Sequence, residues 1–333
     1  MKAFAGALAL VAIAAGAMLV AGANPLEGFA ALLRGSLGGG PQIAETLVQT
    51  TALLFPSLAV ALAFRAGLFN IGAEGQLVIG GLLAGVAGAQ MHLPGIVAIP
   101  LLLALGALGG ALWGGIAGVL RARFGGNEVI ATLMLNVIAA LLANYLIVGP
   151  LRTPGAVGAE TSSLPQSSWL PVLLPGSRLT LALPLALCIA LVLRHLLART
   201  VFGYELRASG EAPEAARRAG IDLGRMALVA MMLSGAIAGL GGATIVTGIL
   251  HRFNTGLSPG YGFIAIAVAL VGALEPLWIC AAAFAFGILQ SGALAMQAFA
   301  HVPKDVVSFV EGVAIVALAV RRVGGARVPG AAD

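Results

Sequence analysis

The sequence predicts an all-α, polytopic membrane protein of about ten transmembrane helices, with both termini on the cytoplasmic side. Three observations carry that expectation. Hydrophobic residues make up 60% of the 333 residues and charged residues 9%, with a mean hydropathy of +1.03, whereas a soluble domain carries roughly 25% charged residues. The apolar residues gather in runs near the length of about 20 residues that a spanning helix needs. The lysines and arginines between those runs fall unequally on the two sides. A large soluble core does not explain the composition, because any soluble protein must still cover itself with polar groups. The 47 glycines suit helices that pack closely in lipid.

Taken in order, the expected spans are 4–22, 43–64, 68–89, 95–120, 128–149, 179–198, 225–249, 260–273, 277–298 and 306–320. The first follows Lys2 and ends near Ala21-Gly22-Ala23, a pattern shared with cleavable signal peptides; the topology count favours its retention. The eighth is short, and Ser258-Pro259-Gly260-Tyr261-Gly262 at its start has the composition of a broken or re-entrant entry, which must be shielded by protein or line a cavity. With the N-terminus inside and strict alternation, Lys2, Arg65, Arg121, Arg123, Arg194, Arg199, Arg207, Arg217, Arg218, Arg225, Arg321, Arg322 and Arg327 fall inside. Arg34, Arg152, Arg178, Arg252 and Lys304 fall outside, 13 against 5 of the 18 basic residues. Spans 2–5 and 7–10 then enter with opposite orientation, which permits an inverted repeat. The whole chain, 1–333, is expected to be a single transmembrane domain.

Several classes are excluded. The net charge of +5 is loop bias, and there is no soluble basic domain in which a nucleic-acid site could be built. Neither Lys2 nor Lys304 stands in a G-x-x-x-x-G-K-[ST] motif, so the chain is not a P-loop ATPase. His92, His195, His251 and His301 lack ligand spacing, and Cys188 and Cys280 lie inside apolar runs. No Ser-His-Asp, paired-carboxylate or metal constellation supports an enzyme. No cofactor is expected on this chain.

Two loops stand out. Residues 150–178 hold Pro150, Pro154, Pro165, Pro171 and Pro175 with several serines, an ordered or semi-rigid external loop and not an interdomain linker. Residues 199–224 are the only long charged segment, on the cytoplasmic side. There Pro213 suits the first turn of a helix. Glu211 and Glu214 lie toward its positive end, and Arg217 and Arg218 toward its negative end. Gly220 suits the left-handed residue that closes it. The short helix presents Ala212, Ala215, Ala216 and Ala219, either to a groove on a soluble partner or simply to solvent.

A second polar stretch runs Arg65-Ala66-Gly67-Leu68-Phe69-Asn70-Ile71-Gly72-Ala73-Glu74-Gly75-Gln76. A carboxylate at membrane depth must be paired, hydrated or protonated. Asn70 and Glu74, four apart, share a helix face, and the glycines permit a local break. The stretch either lines a pathway or pins its helix to the neighbours. Asn136 and Asn144, eight apart, share a face of the fifth span, and Gln290 and Gln297, seven apart, a face of the ninth. Glu311 in the last span is expected to be paired near an interface.

These residues carry a resemblance. Arg207-Ala208-x-Gly210, Ala215-Ala216 and Ala219-Gly220-Ile221 resemble the coupling-helix loop of ABC importer permeases of the ribose and branched-chain amino-acid type. Phe69-Asn70-Ile71-Gly72-x-Glu74-Gly75-Gln76 is similar to an equivalent motif of that family, as are Gly126-Asn127-Glu128-Val129-Ile130 with Thr132, Met134, Leu135 and Asn136, and Gly149-Pro150-Leu151-Arg152. Gly262 to Leu270 and Glu275-Pro276-Leu277 also match, and the whole looks most like the nucleoside branch, whose receptors are lipoproteins of the basic-membrane-protein kind. Gly272-Ala273-Leu274-Glu275 departs from the pattern, where a polar or basic residue is expected before Pro-Leu.

The resemblance implies a permease subunit in the bacterial inner membrane that imports nucleosides by alternating access. Its implied partners are two ATP-binding subunits holding ATP and magnesium, a second permease, identical or homologous, and an extracellular lipoprotein or periplasmic receptor. It implies pathway roles for Phe69, Asn70, Glu74, Gln76 and Asn136; Gln290, by its face on the ninth span, is a further pathway candidate or a helix–helix hydrogen bond. It implies coupling roles for Arg207, Gly210, Glu214, Ala215, Ala216 and Gly220. The alternatives are a simple-sugar ABC permease and a secondary transporter driven by an ion gradient, for which Glu74 and Glu311 are the candidate carriers. A membrane scaffold would not need a polar, glycine-broken third span.

Overall fold

The computed structural model describes residues 2–153, 158–300, 302–303, 305–310 and 312–313, with side chains from residue 11 onward. Two compact units divide the chain, one formed by residues 51–280 and one by the terminal segments 1–50 and 281–333.

In the larger unit, α3 (Gly40–Arg65) contributes its second half. It is followed by α4 (Ala73–Gln90), α5 (Gly95–Phe124), α6 (Glu128–Val148), α7 (Ala182–Arg199), α8 (Val201–Glu211), α9 (Pro213–Arg218), α10 (Leu223–Ile245) and α11 (Tyr261–Val271). The core is set by glycine. Gly106, Gly110 and Gly114 recur every four residues on α5 and face Gly235 and Gly239 on α10, so the two backbones touch along one stripe. Gly80 of α4 meets Gly239 in the same way. Eleven of the 18 residues of α4 are buried, Leu77, Ile79 and Leu82 among them, and this face packs with Leu102, Ala139, Ile147, Ile245, Val246 and Phe253. The outer helices differ: 28% of the apolar window is buried in α5, 33% in α6 and 28% in α7, against 83% in α3 and 67% in α10. The apolar side chains of α6 at Ile130, Met134, Val137, Leu141, Tyr145 and Val148 are exposed along one face, the surface that lipid would cover.

Beyond α10 the helix widens into a π-turn, Val246–Leu250, and closes on His251, whose φ is 55°. The described part of the Pro-rich loop lies across this end as a strap. Leu164 N–H donates to the His251 carbonyl at 2.8 Å, Leu170 N–H to the Thr247 carbonyl at 2.9 Å, and Thr161 N–H to the Phe253 carbonyl at 2.9 Å. Arg252 pairs with Glu160 at 2.8 Å, and the Trp169 ring stacks on His251 at 3.8 Å between centroids. These bonds hold the loop from residue 158 onward; Pro154 lies outside the described residues.

Burial pushes the His251 imidazole below its ordinary range, more than a bond to the Thr247 carbonyl lifts it. Protonation is therefore easier in the unfolded strap than in the folded one. The stability this group lends the strap is present above about pH 6.5, the ordinary imidazole value, and is lost as the pH falls through the lower folded value. Protection factors of the Leu164 and Leu170 amides, corrected for base-catalysed intrinsic exchange, are expected to be lower at about pH 5 than at about pH 8, and less pH-dependent in His251→Phe. Equal pH dependence in both proteins would remove His251 as the cause.

In the terminal unit, α1 (Lys2–Val20) and α2 (Pro25–Leu37) are bent by 115° between Val11–Val20 and Pro25–Leu37. Asn24 caps α2 by accepting from Leu26 N–H at 3.0 Å. Ala14 and Met18 form a cluster with Ala293 and Met296 of α12 (Pro276–Phe299) and with Val302, Val307 and Val310.

The helix count corrects the sequence expectation. Six helices among the described residues are long and apolar enough to cross a membrane, or seven if the bent α1–α2 pair is one span. The run at 68–89 becomes α4, which carries Glu74, Gln76 and Gln90 and is wrapped by protein. The run at 260–273 becomes the 11-residue α11, about 16 Å long at 1.5 Å per residue and too short to span. The run at 306–320 lies largely outside the described residues, with Lys304, Glu311 and His301. An apolar run needs only an apolar environment, and the interior of a helical protein supplies one as well as lipid does. With the count of ten goes the inverted repeat of spans 2–5 and 7–10, and the parity that placed both termini inside. The all-α, multi-pass membrane architecture stands.

Candidate functional site

The polar stretch after α3 is a break between two helices. Leu68 N–H donates to the Ala63 carbonyl and Gly67 N–H to the Phe64 carbonyl, both at 3.0 Å. This is the paired closure that ends a helix through a left-handed residue, and Gly67 supplies it with φ 72°. Phe69 is 55% exposed, its ring 5.0 Å from that of Phe64. Asn70 turns the opposite way and is fully buried. Its Oδ1 accepts from Gly72 N–H at 2.9 Å, an Asx turn that sets the chain up for α4.

Asn70 is the centre of a buried polar network. Its Nδ2 donates to Gln76 Oε1 at 3.0 Å and to Ser234 Oγ at 2.8 Å. Gln76 Nε2 donates back to Asn70 Oδ1 at 3.2 Å. Ser234 Oγ donates to the Ala59 carbonyl at 2.6 Å. Asn136 completes the group, accepting from Gly75 N–H at 2.8 Å and donating to the Ile71 carbonyl at 2.9 Å. Thr132 accepts from Ile71 N–H at 3.3 Å. The network thus ties α3, α4, α6 and α10 to the break. Its amides are satisfied by one another and by the backbone, so a polar solute could be bound only by exchanging partners with them. Ser234 went unnoticed in the sequence; the only signal was a lone hydroxyl midway along an apolar run. Asn144 is exposed, unlike Asn136.

Glu74 stands in the first turn of α4 and reaches the start of α11. Its Oε2 accepts from Gly262 N–H at 2.7 Å, and the Ser258 hydroxyl and Gly260 N–H also bond its carboxyl group. Ser258 Oγ in turn accepts from Tyr261 N–H at 2.9 Å. Gly262 has no room for a Cβ, which would lie 2.5 Å from Glu74 Cα. Two helix N-termini therefore converge on one carboxyl group. The expected broken entry is present here as Gly260, with φ 98°.

The charged segment folds as two helices. Thr200 caps α8, accepting from Gly203 N–H at 3.0 Å, and Arg207 Nε donates to the Gly203 carbonyl at 3.3 Å. Pro213 opens α9, Glu214 and Arg217 pair at 3.4 Å on its exposed side, and Ala216 is buried. Ile221 N–H donates to the Ala216 carbonyl at 3.0 Å, with Gly220 at φ 86°. Ala212, Ala215 and Ala219 remain exposed, so an apolar face is still on offer. Gly210, near the end of α8, sits against Gly67: a Cβ on Gly67 would lie 2.7 Å from Gly210 Cα, and one on Gly210 2.7 Å from the Arg65 carbonyl oxygen. The two candidate groups, distant in sequence, meet backbone to backbone.

Of the expected pathway residues, Asn70, Glu74, Gln76 and Asn136 are brought together, and Phe69 lies beside them but outward. Gln290 belongs to the terminal unit, half-buried on α12. Among the described residues, no group of three His, Cys, Asp or Glu side chains is placed to hold a metal ion.

A family model described as branched-chain amino acid transport system / permease component matches residues 42–319. The guanosine ABC transporter permease protein of Bacillus subtilis is 38% identical over 317 residues, 93% of this chain and 90% of that protein. A nucleoside ABC transporter permease protein of Lactococcus lactis is 32% identical, covering 91% and 86%. A glucose ABC transporter permease protein of Haloferax volcanii is 30% identical, covering 93% and 84%.

Proposed function

Since the chain belongs to the branched-chain amino acid transport system / permease component family, and is on that ground a multi-pass ABC permease subunit and not an enzyme, we propose that it imports nucleosides across the bacterial inner membrane. The observation that carries the substrate class is the 38% identity, over nearly the full length of both chains, to a guanosine permease. The buried amides and hydroxyls of Asn70, Gln76, Asn136 and Ser234 suit it. A nucleoside offers donors and acceptors that can replace each bond it displaces, at little net cost.

ATP is hydrolysed on partner subunits, and a substrate-binding protein delivers the cargo. The loop 150–178 faces that receptor on the outside, and 199–224 meets the ATPase inside, with the exposed alanines of α9 in its groove. A second permease, identical or homologous, completes the pathway. Alternating access then follows from closure of the ATPases on α9. Glucose is the second substrate reading, supported by the 30% identical glucose permease. The ion-gradient reading has no remaining support, because the family draws its energy from a separate ATPase.

Uptake of labelled guanosine, adenosine, glucose and ribose by cells with and without the gene tests the substrate, with the ATPase intact or disabled. Nucleoside uptake lost in both deletions supports the proposal. Loss of sugar uptake alone moves the substrate, and uptake that survives ATPase loss overturns the mechanism. In the same cells Arg207→Ala and Glu214→Ala are expected to lower uptake at least about fivefold, the range of ordinary coupling energies, while ATP hydrolysis by the purified complex persists. Wild-type coupling in both variants would refute docking through this segment.

A further inference from the structure

Helix α11 is a short rod with a special backbone at each end. It begins after Gly260, at φ 98°, and ends at Gly272-Ala273-Leu274, where Ala273 and Leu274 both hold positive φ, 52° and 56°. Such values cost energy in residues with a Cβ and gather at elements that move. Each end is also gripped by a side chain. At the start, Glu74 takes the Gly262 N–H at 2.7 Å. At the finish, Arg65 Nε donates to the Leu274 carbonyl at 3.2 Å. Arg65 is the last residue of α3 and Glu74 lies in the first turn of α4, so both grips come from the two sides of one break, 66–72. The middle of that break is Gly67, on which Gly210 of α8 sits.

We infer that Arg65 and Glu74 are positioning residues that make α11 follow the break, so that a push on α8 at Gly210 is delivered to α11. The inference rests on the coupling role proposed above for segment 199–224 and names the element it drives. Nothing in this linkage is a compliant side-chain contact at its input, because Gly67 and Gly210 meet through backbone atoms. At its output the two bonds hold α11 at both ends, so it translates with the break instead of pivoting. The strained turn at Ala273-Leu274 is the joint that lets α11 move relative to α12. An apolar helix too short to span, with a polar grip at each end, is suited to sliding in a way that the glycine-locked α5 and α10 are not.

The test uses the full complex in lipid nanodiscs, with the permease pair, ATPase subunits and receptor, and Cys188 and Cys280 replaced by serine. One nitroxide pair at Glu211 and Phe124 reports α8 against α5; a second at Leu270 and Phe124 reports α11 against α5. All three positions are exposed. Trapping with ATP and vanadate is expected to shift both distances in the wild type. In Arg65→Ala and in Glu74→Ala the α8 shift should persist while the α11 shift falls by at least half. Arg65→Lys and Glu74→Gln keep a donor and an acceptor and should restore it, a rescue that guards against mere misfolding. An α11 shift that persists in both alanine variants, or that the conservative variants fail to restore, overturns the inference. If the α8 distance does not respond to ATP in the wild type, the coupling role itself fails and the inference with it.

Discussion

Valine at Gly110 is expected to leave little or no monodisperse protein after detergent extraction. A Cβ at this position would fall on the Gly235 carbonyl oxygen and 2.7 Å from Gly239 Cα. These are backbone atoms of a facing helix, so no rotamer change can make room, and the two helices must separate along the whole stripe. Separation would open Gly106 and Gly114 from their partners as well, together with the contact of α4 on Gly239. Overpacking alone costs about 1–3 kcal/mol at a typical core site, and here one substitution breaks three helix contacts. Gly115, one residue from Gly114 on the same helix, provides the control. A Cβ there would meet only the Met232 side chain, at 3.3 Å from Cγ, and methionine adapts readily. Gly115→Val should therefore elute and melt close to the wild type. A Gly110→Val protein as stable as Gly115→Val would show that the glycine stripe does not set the core.

Leucine at Asn70 carries the second large effect, and this one reaches transport. The side chain is similar in size but offers no hydrogen bond. The Gly72 N–H loses its acceptor, and both ends of the Gln76 amide lose their partner. Each stranded buried group costs about 1–3 kcal/mol, so several kcal/mol fall on the joint between α3 and α4. Uptake per folded transporter is expected to drop by more than about tenfold, because 1.4 kcal/mol already corresponds to a factor of ten. Ser234→Ala is the graded comparison. It removes one acceptor from Asn70 Nδ2, which still reaches Gln76, and frees the Ala59 carbonyl. Its loss should be intermediate in both melting temperature and uptake. Asn70→Leu with wild-type stability and uptake would strip the network of its role.

The sequence made some of this site legible, for physical reasons that differ from residue to residue. Pro213 and Gly220 act locally: one fixes a first turn and the other a left-handed close, so α9 could be read from neighbours alone. Asn70, Glu74 and Gln76 announced themselves by cost, since polar groups in an apolar stretch must have partners. Which partners they have was not legible. Ser234 is a common residue in a helix, and nothing in its neighbourhood says that it faces Asn70. The meeting of Gly67 with Gly210 is likewise invisible, because periodicity describes one helix and not which helices pair. The surplus in the span count has the same origin. The runs that become α4 and α11 are apolar enough to span, and only the folded chain shows that α4 is largely buried in protein and α11 too short to cross.

That enclosure has a consequence for how the chain is made. Membrane insertion during synthesis favours segments by their own hydrophobicity, and acidic residues count heavily against them. Helix α3 qualifies alone and so does α5, but α4 between them, with Glu74 and Gln76 in its first turn, is not among the helices that do. Glu74 finds its partner on α11, and the Asn70 that pairs with Gln76 finds Ser234 on α10; both helices leave the ribosome much later. In the interval α4 must be held in place by the flanking helices, like a passenger between two swimmers. Biogenesis of this protein is thus a vulnerable stage in its own right, during which the polar side chains that serve the finished transporter are still waiting for the chain that will receive them.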